Sequence, residues 1–189
     1  ANGNVISVNR QGVNWTYSYN SLGLLTQELL QLDGRSYQFD YAYNSDGNIS
    51  SATVPFAGAV SLTPDGFGRP TGLTIASSQI ASQGEYFPNG DLKRMSYGNG
   101  YVFTATQNAR QLTATAQSVS GSVNALKRNY AYDANGRILS IVDNAVAGED
   151  RSFTYDDLGR LAFASGPWGA GSYSYDAIGN LLSWAQGPS

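Results

Sequence analysis

The sequence contains neither cysteine nor histidine. Without them there is no disulfide framework, no thiol nucleophile, no Ser-His-Asp triad and no zinc site built on imidazole or thiolate. Charge is scarce too, because Asp, Glu, Lys and Arg make up 13% of the 189 residues, about half the usual share. The 11 Lys and Arg are scattered and the net charge is -3, which leaves no basic footprint for a nucleic-acid backbone. No apolar run approaches the roughly 18 residues of a membrane span. The start, Ala1-Asn2-Gly3-Asn4, has neither the basic nor the apolar region of a signal peptide. These absences predict a chain that inserts into no membrane and binds no nucleic acid, and they leave the redox compartment open.

What the sequence does have is glycine, 22 residues, and tyrosine, 13 residues, and both recur in one pattern, Tyr-Asp-x-x-Gly-Arg-Leu. Its clearest copies are Tyr132-Asp133-Ala134-Asn135-Gly136-Arg137-Ile138, Tyr155-Asp156-Asp157-Leu158-Gly159-Arg160-Leu161 and Tyr175-Asp176-Ala177-Ile178-Gly179-Asn180-Leu181. Earlier copies are looser. Asn replaces Asp in the copies around Gly23 and Gly47, Pro64 takes the Tyr slot before Asp65 and Gly68, and the copy at Gly90 keeps only Tyr, Gly and Leu. The poorest copy, Thr106 to Leu112, puts Arg110 in the Gly slot, and the chain opens inside another copy at Gly3. Counted this way, the Gly slots are separated by 20, 24, 21, 22, 20, 26, 23 and 20 residues, with a mean of 22. Such a period denotes an array of one supersecondary unit that cannot bury its apolar face alone.

The turn chemistry identifies the unit. Asp or Asn ahead of the Gly caps a type I turn by accepting a hydrogen bond from a backbone N–H two residues on. Gly then takes the left-handed conformation that forms a bulge and releases the second strand. Aromatic residues alternate before each turn: Tyr17 and Tyr19, Tyr41 and Tyr43, Tyr130 and Tyr132, Phe153 and Tyr155, Tyr173 and Tyr175. Period two places each pair on one face of a strand. The reading is an all-β fold, an array of antiparallel β-hairpins in one long, twisted sheet. Eight units and an N-terminal half unit make about 17 strands. A flat sheet of that width, ~80 Å at ~4.8 Å per strand, is disfavoured by strand twist, so it curls as a spiral or shell wall. Residues 1–189 read as a single array without a domain boundary. Ser77 to Gly84 and Ser118 to Leu126 depart from the pattern and read as long connections or exposed strands.

The architectural residues that follow are Gly23, Gly47, Gly68, Gly90, Gly136, Gly159 and Gly179 at the turns, stabilised by Asp65, Asp133, Asp156 and Asp176, with the five aromatic pairs forming a ladder. A catalytic residue is not copied into every unit, so the repeated carboxylates read as turn groups rather than acid/base catalysts. Arg69, Arg137 and Arg160 just past the turns read as their ion-pair partners. Each turn offers one carboxylate where calcium needs 6–8 oxygens, so neither a catalytic residue, a metal nor a cofactor is expected.

The repeat resembles the YD-repeat, or rearrangement-hot-spot (Rhs), family, and the resemblance runs from Gly3 to Trp184. The family includes Rhs polymorphic toxins, the B and C components of insecticidal Tc toxins, bacterial wall-associated proteins and the teneurins. The resemblance implies a β-sheet that spirals into a hollow shell and, in the toxins, encloses a cytotoxic C-terminal polypeptide. It implies neighbouring YD repeats and an encapsulated toxin polypeptide as partners, and a bacterial protein that is secreted or at the cell surface, cytoplasmic before export. The chain has fewer repeats than a complete shell and lacks the closing segment with its Asp-based cleavage site, since Asp156-Asp157 sits in an ordinary turn. It therefore reads as an excerpt of a longer protein.

The alternative function is an extracellular adhesin or carbohydrate-binding surface, or a β-rich fibre of YD repeats, with glycans as partners. Trp168, in the flexible stretch Gly166-Pro167-Trp168-Gly169-Ala170-Gly171, is the candidate glycan contact, against the reading that its ring caps the sheet. Trp15 and Trp184 fall in strand positions.

Overall fold

The computed structural model describes residues 3–187. They form strands and turns without a helix, and the seventeen antiparallel strands belong to one open sheet. The chain divides into two compact units, Ala1–Glu85 with Met95–Gly100, and Tyr86–Arg94 with Tyr101–Ser189.

The first unit is built on β1 (Ser7–Arg10), β2 (Val13–Tyr19), β3 (Leu25–Leu32), β4 (Arg35–Tyr43), β5 (Ile49–Val54), β6 (Gly58–Pro64), β7 (Pro70–Ile75) and β8 (Ser78–Tyr86). From β1 to β8 each strand pairs with its successor. β9 (Leu92–Tyr97) carries the chain onward. The second unit comprises β10 (Val102–Gln107), β11 (Thr113–Ser120), β12 (Val123–Tyr132), β13 (Ile138–Asp143), β14 (Arg151–Tyr155), β15 (Leu161–Gly166), β16 (Gly169–Tyr175) and β17 (Leu181–Gln186). They too pair in chain order. The two segments that break the repeat pattern are strands: β8 covers most of the first, and the end of β11 with the start of β12 covers the second.

Two kinds of turn alternate. At the repeat turns the register slips by one residue on the departing strand. Ser18 faces Gln27 but Tyr19 faces Leu25, and Thr154 faces Phe163 but Tyr155 faces Leu161. The same slip occurs at Tyr43, Pro64, Gln107, Tyr132 and Tyr175. Each of these seven hairpins thus carries a bulge, which adds right-handed twist at the same point of the repeat.

The other turns join successive hairpins. Gln11-Gly12, Asp33-Gly34 and Ala76-Ser77 each have two central residues of positive φ, the signature of the type I′ turn whose twist matches that of the flanking strands. Gly supplies this freely at the first two sites, whereas Ala76 (φ 45°) and Ser77 (φ 70°) reach it without glycine.

Burial follows from having a single layer. Met95, Ala116 and Ala164 are the buried apolar residues among those described, and no large side chain is fully buried. Stability therefore rests on strand pairing and on contacts between neighbouring hairpins rather than on a central core.

Candidate functional site: the clamp between repeats

The repeat turns that carry Asp or Asn are each held by one side-chain oxygen that accepts two backbone hydrogen bonds; at the Gly90 turn Phe87 stands in that position, and Gly90 N–H donates to its carbonyl at 2.9 Å. Asp156 Oδ1 accepts from the N–H groups of Leu158 (3.0 Å) and Arg160 (2.8 Å). Oδ1 of Asp65, Asp133 and Asp176 takes the same two partners, two and four residues on. So does Oδ1 of Asn20, Asn44 and Asn108. The turn closes by a bond from the Gly N–H to the carbonyl of the Asp or Asn, as from Gly159 to Asp156 at 2.8 Å. At Gly23, Gly47, Gly68, Gly90, Gly136, Gly159 and Gly179 φ lies between 79° and 95°, the region an L side chain avoids.

The copy at Thr106 to Leu112 is framed differently from the sequence reading. Asn108 holds the turn, the positive φ (62°) falls on Gln111, and the closing bond runs from Gln111 N–H to Asn108. Gln111, not Arg110, occupies the Gly slot, so the neighbouring intervals become 21 and 25 residues. The physical reason is that the Asn acceptor fixes the frame, and the left-handed residue must stand three positions beyond it. Arg110 is at the tip, where its guanidinium donates to the carbonyls of Ala134 and Asp133 in the next repeat.

The free carboxylate oxygen binds the arginine that follows. Asp65–Arg69, Asp133–Arg137 and Asp156–Arg160 pair at 2.6–2.7 Å, and Asn180 Nδ2 donates to Asp176 in the last turn. Two of these arginines also reach forward. Arg137 lies 4.6 Å from the centre of the Tyr155 ring, and Arg160 lies 4.6 Å from that of Tyr175 while donating to the Asp176 carbonyl at 2.9 Å. The tyrosine reaches back. Tyr155 donates its hydroxyl to the Ile138 carbonyl, and Tyr175 to that of Leu161. Tyr132 does the same to Thr113, and in the first unit Tyr19 to Val5 and Tyr43 to Leu25. Each acceptor is the residue that starts or precedes the post-turn strand of the repeat before. Every second tyrosine of a pair is therefore a tie between hairpins.

The electrostatics agree. The Arg69 side chain, bonded to Asp65, holds that carboxyl below its usual value, as Asn180 does for Asp176. At Asp133 and Asp156 desolvation pushes upward and is the largest single influence. The backbone N–H and guanidinium of Arg137 and Arg160 together outweigh it, and both carboxyls end below the usual range. Burial first, and Tyr130 second, push the Tyr132 hydroxyl up, so it remains a donor to Thr113.

The first members of the aromatic pairs play other parts. Tyr17 is parallel to Trp15, with ring centres 6.2 Å apart, and Trp15 also stacks on Phe39. Tyr41 faces Ala52, Tyr130 faces Ile141, Phe153 faces Ala164 and Tyr173 faces Trp184 across neighbouring strands. Trp168 stands in a two-residue turn rather than a flexible loop, because Gly166 pairs with Gly169. Its ring lies where a side chain on Gly166 would be, with Arg151 5.9 Å from the ring centre. Trp15 and Trp184 are in strands, as their positions suggested. The capping roles of Asn20 and Asn44 were signalled by their alignment with Asp, whereas the sequence frame put Gln107 in that slot and missed Asn108. Gln111 carried no signal.

Among the described residues no cluster of three His, Cys, Asp or Glu is placed to hold a metal ion, and the turn carboxylates are each occupied by their own hairpin. Fold and site together define an array of β-hairpins tied turn to turn. Residues 1–36 match the RHS Repeat family profile. The fold matches the Photorhabdus luminescens Tc holotoxin pore, solved with a TccC3 mutation, at TM-score 0.79 and 19% identity over 95% of this chain and 11% of that one. It matches the crystal structure of TcdB2-TccC3-Cdc42 at TM-score 0.79 and 18% identity over 96% of this chain and 12% of that one. TcdB2-TccC3 without its hypervariable C-terminal region gives 0.78 and 19%, over 93% and 11%. The chain thus spans 11–12% of the length of these proteins. No curated protein matches the sequence significantly. These findings support an Rhs, or YD, repeat assignment, carried by the family match at residues 1–36 and by the shared fold.

Proposed function

We propose that the chain is a non-enzymatic wall segment of a hollow β-shell, and that the shell encloses or scaffolds a toxin-like C-terminal polypeptide of the same protein. The carrying observation is the single-layer sheet whose turns are tied repeat to repeat while almost nothing is buried: among the described residues Met95, Ala116 and Ala164 are its buried apolar side chains. Domains ordinarily bury such a sheet against a second layer; a wall around a cargo needs stiffness along its length instead. The Asp, Arg and Tyr side chains repeated along the chain are engaged in the ties, which supports an architectural role for Gly23, Gly47, Gly68, Gly90, Gly136, Gly159, Gly179 and their Asp partners. On this reading residues 1–189 work as one array, and the parent protein is secreted or surface-associated. Electron microscopy of the full-length protein tests this. A closed wall around extra density is expected, and a solid particle without an internal cavity overturns it.

A further inference from the structure

On β3, Glu28 faces Tyr17 of β2 on one side and Phe39 of β4 on the other. Residues directly opposite one another share a face of the sheet, with Cβ atoms about 4.5–5.5 Å apart, so this carboxylate stands between two rings. Trp15 extends the aromatic surface. Its ring is parallel to that of Tyr17 at 6.2 Å and lies 6.4 Å from that of Phe39. Tyr41 stands two residues beyond Phe39 on the same face, where burial first, and the charge of Glu28 second, push its hydroxyl up.

Glu28 is half-buried, and among the described residues no arginine or lysine pairs with it. Arg10 and Arg35 lie toward the other end of the strands, opposite Val13 and Leu32. A charge set among rings without a counter-ion is costly to keep. Elsewhere the chain completes such a group with its own arginine. Asp133 and Asp156 bind Arg137 and Arg160, and each guanidinium lies 4.6 Å from the centre of the next repeat's tyrosine ring. Asp65 binds Arg69, which lies 5.0 Å from the centre of the Phe67 ring. Carboxylate, guanidinium and ring form one unit in all three. Glu28, Tyr17 and Phe39 supply the carboxylate and the rings but no guanidinium.

The chemistry of the face narrows the occupant. A neutral molecule would strip water from Glu28 and leave its charge uncompensated. An ammonium is a compact, strongly hydrated point charge, whereas a guanidinium is planar, more weakly hydrated, stacks on rings and can bond a carboxylate through two N–H groups. The apolar surface also continues past Glu28. Trp15, Leu30 and Tyr37 form the next register row on that face, and Tyr37 packs edge-on against Phe56. That extension suits an apolar neighbour of the arginine in a polypeptide, rather than a free guanidinium compound.

We propose that the β2–β4 face around Glu28 is a docking site for an arginine-bearing segment of a polypeptide. The guanidinium pairs with Glu28 and lies against the rings of Tyr17 and Phe39, with an apolar neighbour over Leu30 and Tyr37. The site stands independently of whether the wall closes around a cargo.

The test is chemical-shift NMR on the 189-residue chain with the capped peptide Gly-Leu-Arg-Leu-Gly, its citrulline and lysine counterparts, choline and methyl glucoside, each at two salt concentrations. The arginine peptide is expected to bind at roughly millimolar strength, more weakly at high salt, with shifts at the Trp15 indole, Tyr17 and Phe39. The citrulline peptide, which keeps the plane and loses the charge, should bind at least tenfold more weakly. Glu28→Gln and Tyr17→Leu should each reduce affinity tenfold or more. Asp40→Asn, on the opposite face of β4 where Asp40 bonds Gln27 and Gln38, should leave it unchanged. Absence of arginine-peptide binding overturns the proposal, as does full affinity in Glu28→Gln whose spectrum shows it folded. So does binding of the citrulline or lysine peptide, choline or methyl glucoside at these residues as tightly as the arginine peptide.

Discussion

The guanidinium of Arg137 and the ring of Tyr155 lie 4.6 Å apart, face on, across the boundary between two repeats. The same arginine is bound to Asp133 in its own turn, so a carboxylate, a cation and a ring from two hairpins form one connected unit. A cation over an aromatic face contributes about 0.5–1 kcal/mol where partly exposed. The contact explains a second demand on the next turn, because a Cβ on Gly159 would come within 2.6 Å of Arg137 Nη1.

Gly159 and Gly179 share positive φ, 80° and 95°, but a Cβ on Gly179 would meet nothing within 4 Å. Gly179→Ala should therefore cost only the left-handed backbone penalty, about 1–2 kcal/mol. Gly159→Ala should cost more, because Arg137 must also leave Tyr155, and Gly159→Val should exceed both. Urea denaturation of the three variants measures this. Equal losses for the two alanine variants would show that Arg137 is not held over the turn.

Asp156→Asn and Asp156→Ala separate the two duties of the turn residue. Asn keeps the Oδ1 acceptor that Asn20, Asn44 and Asn108 already provide, and loses only the partly exposed pair with Arg160, worth about 0–1 kcal/mol. Ala leaves the N–H groups of Leu158 and Arg160 without that partner. It should cost about 1–3 kcal/mol. Matching melting temperatures for the two variants would assign the turn's stability to the ion pair or to neither.

Ala76 and Ser77 occupy a turn whose geometry prefers Asn-Gly. Ala76→Asn with Ser77→Gly should relieve the left-handed strain and raise stability by about 1–2 kcal/mol, seen as a higher melting temperature. A decrease would mean that the turn leaves this geometry in solution.

Asp65, Asp133, Asp143, Asp156 and Asp176 all have carboxyls held below their ordinary value. For Asp143 the main cause is the hydrogen bond from Arg128. A depressed folded-state pKa gives stability that is complete above the unfolded value of about 3.9 and is lost as pH falls through the folded one. With no histidine to titrate, the melting temperature should stay level from pH 7 to 5 and fall progressively below pH 4. A main transition between pH 6 and 7 would contradict this, and Asp133→Asn should make the acid fall shallower.

The hairpin array was legible in the sequence because its cause is local. Asp or Asn and the Gly three positions beyond it make their turn with backbone groups no more than four residues away, and alternating aromatics mark the strand before it. Gln111 escaped for the complementary reason. A glutamine can be forced to positive φ only by the hydrogen bonds around it, and nothing in its own chemistry announces that.

Sequence alone therefore determined the all-β antiparallel repeat, since it rests on interactions within about five positions. It did not determine where Arg137 and Tyr155 would meet, or that Arg110 would reach the carbonyls of Asp133 and Ala134. Those depend on strand register and on a bulge in each hairpin, which fix the distances between side chains of different repeats. Only the tertiary structure sets them, because a shift of one residue would turn every side chain to the other face.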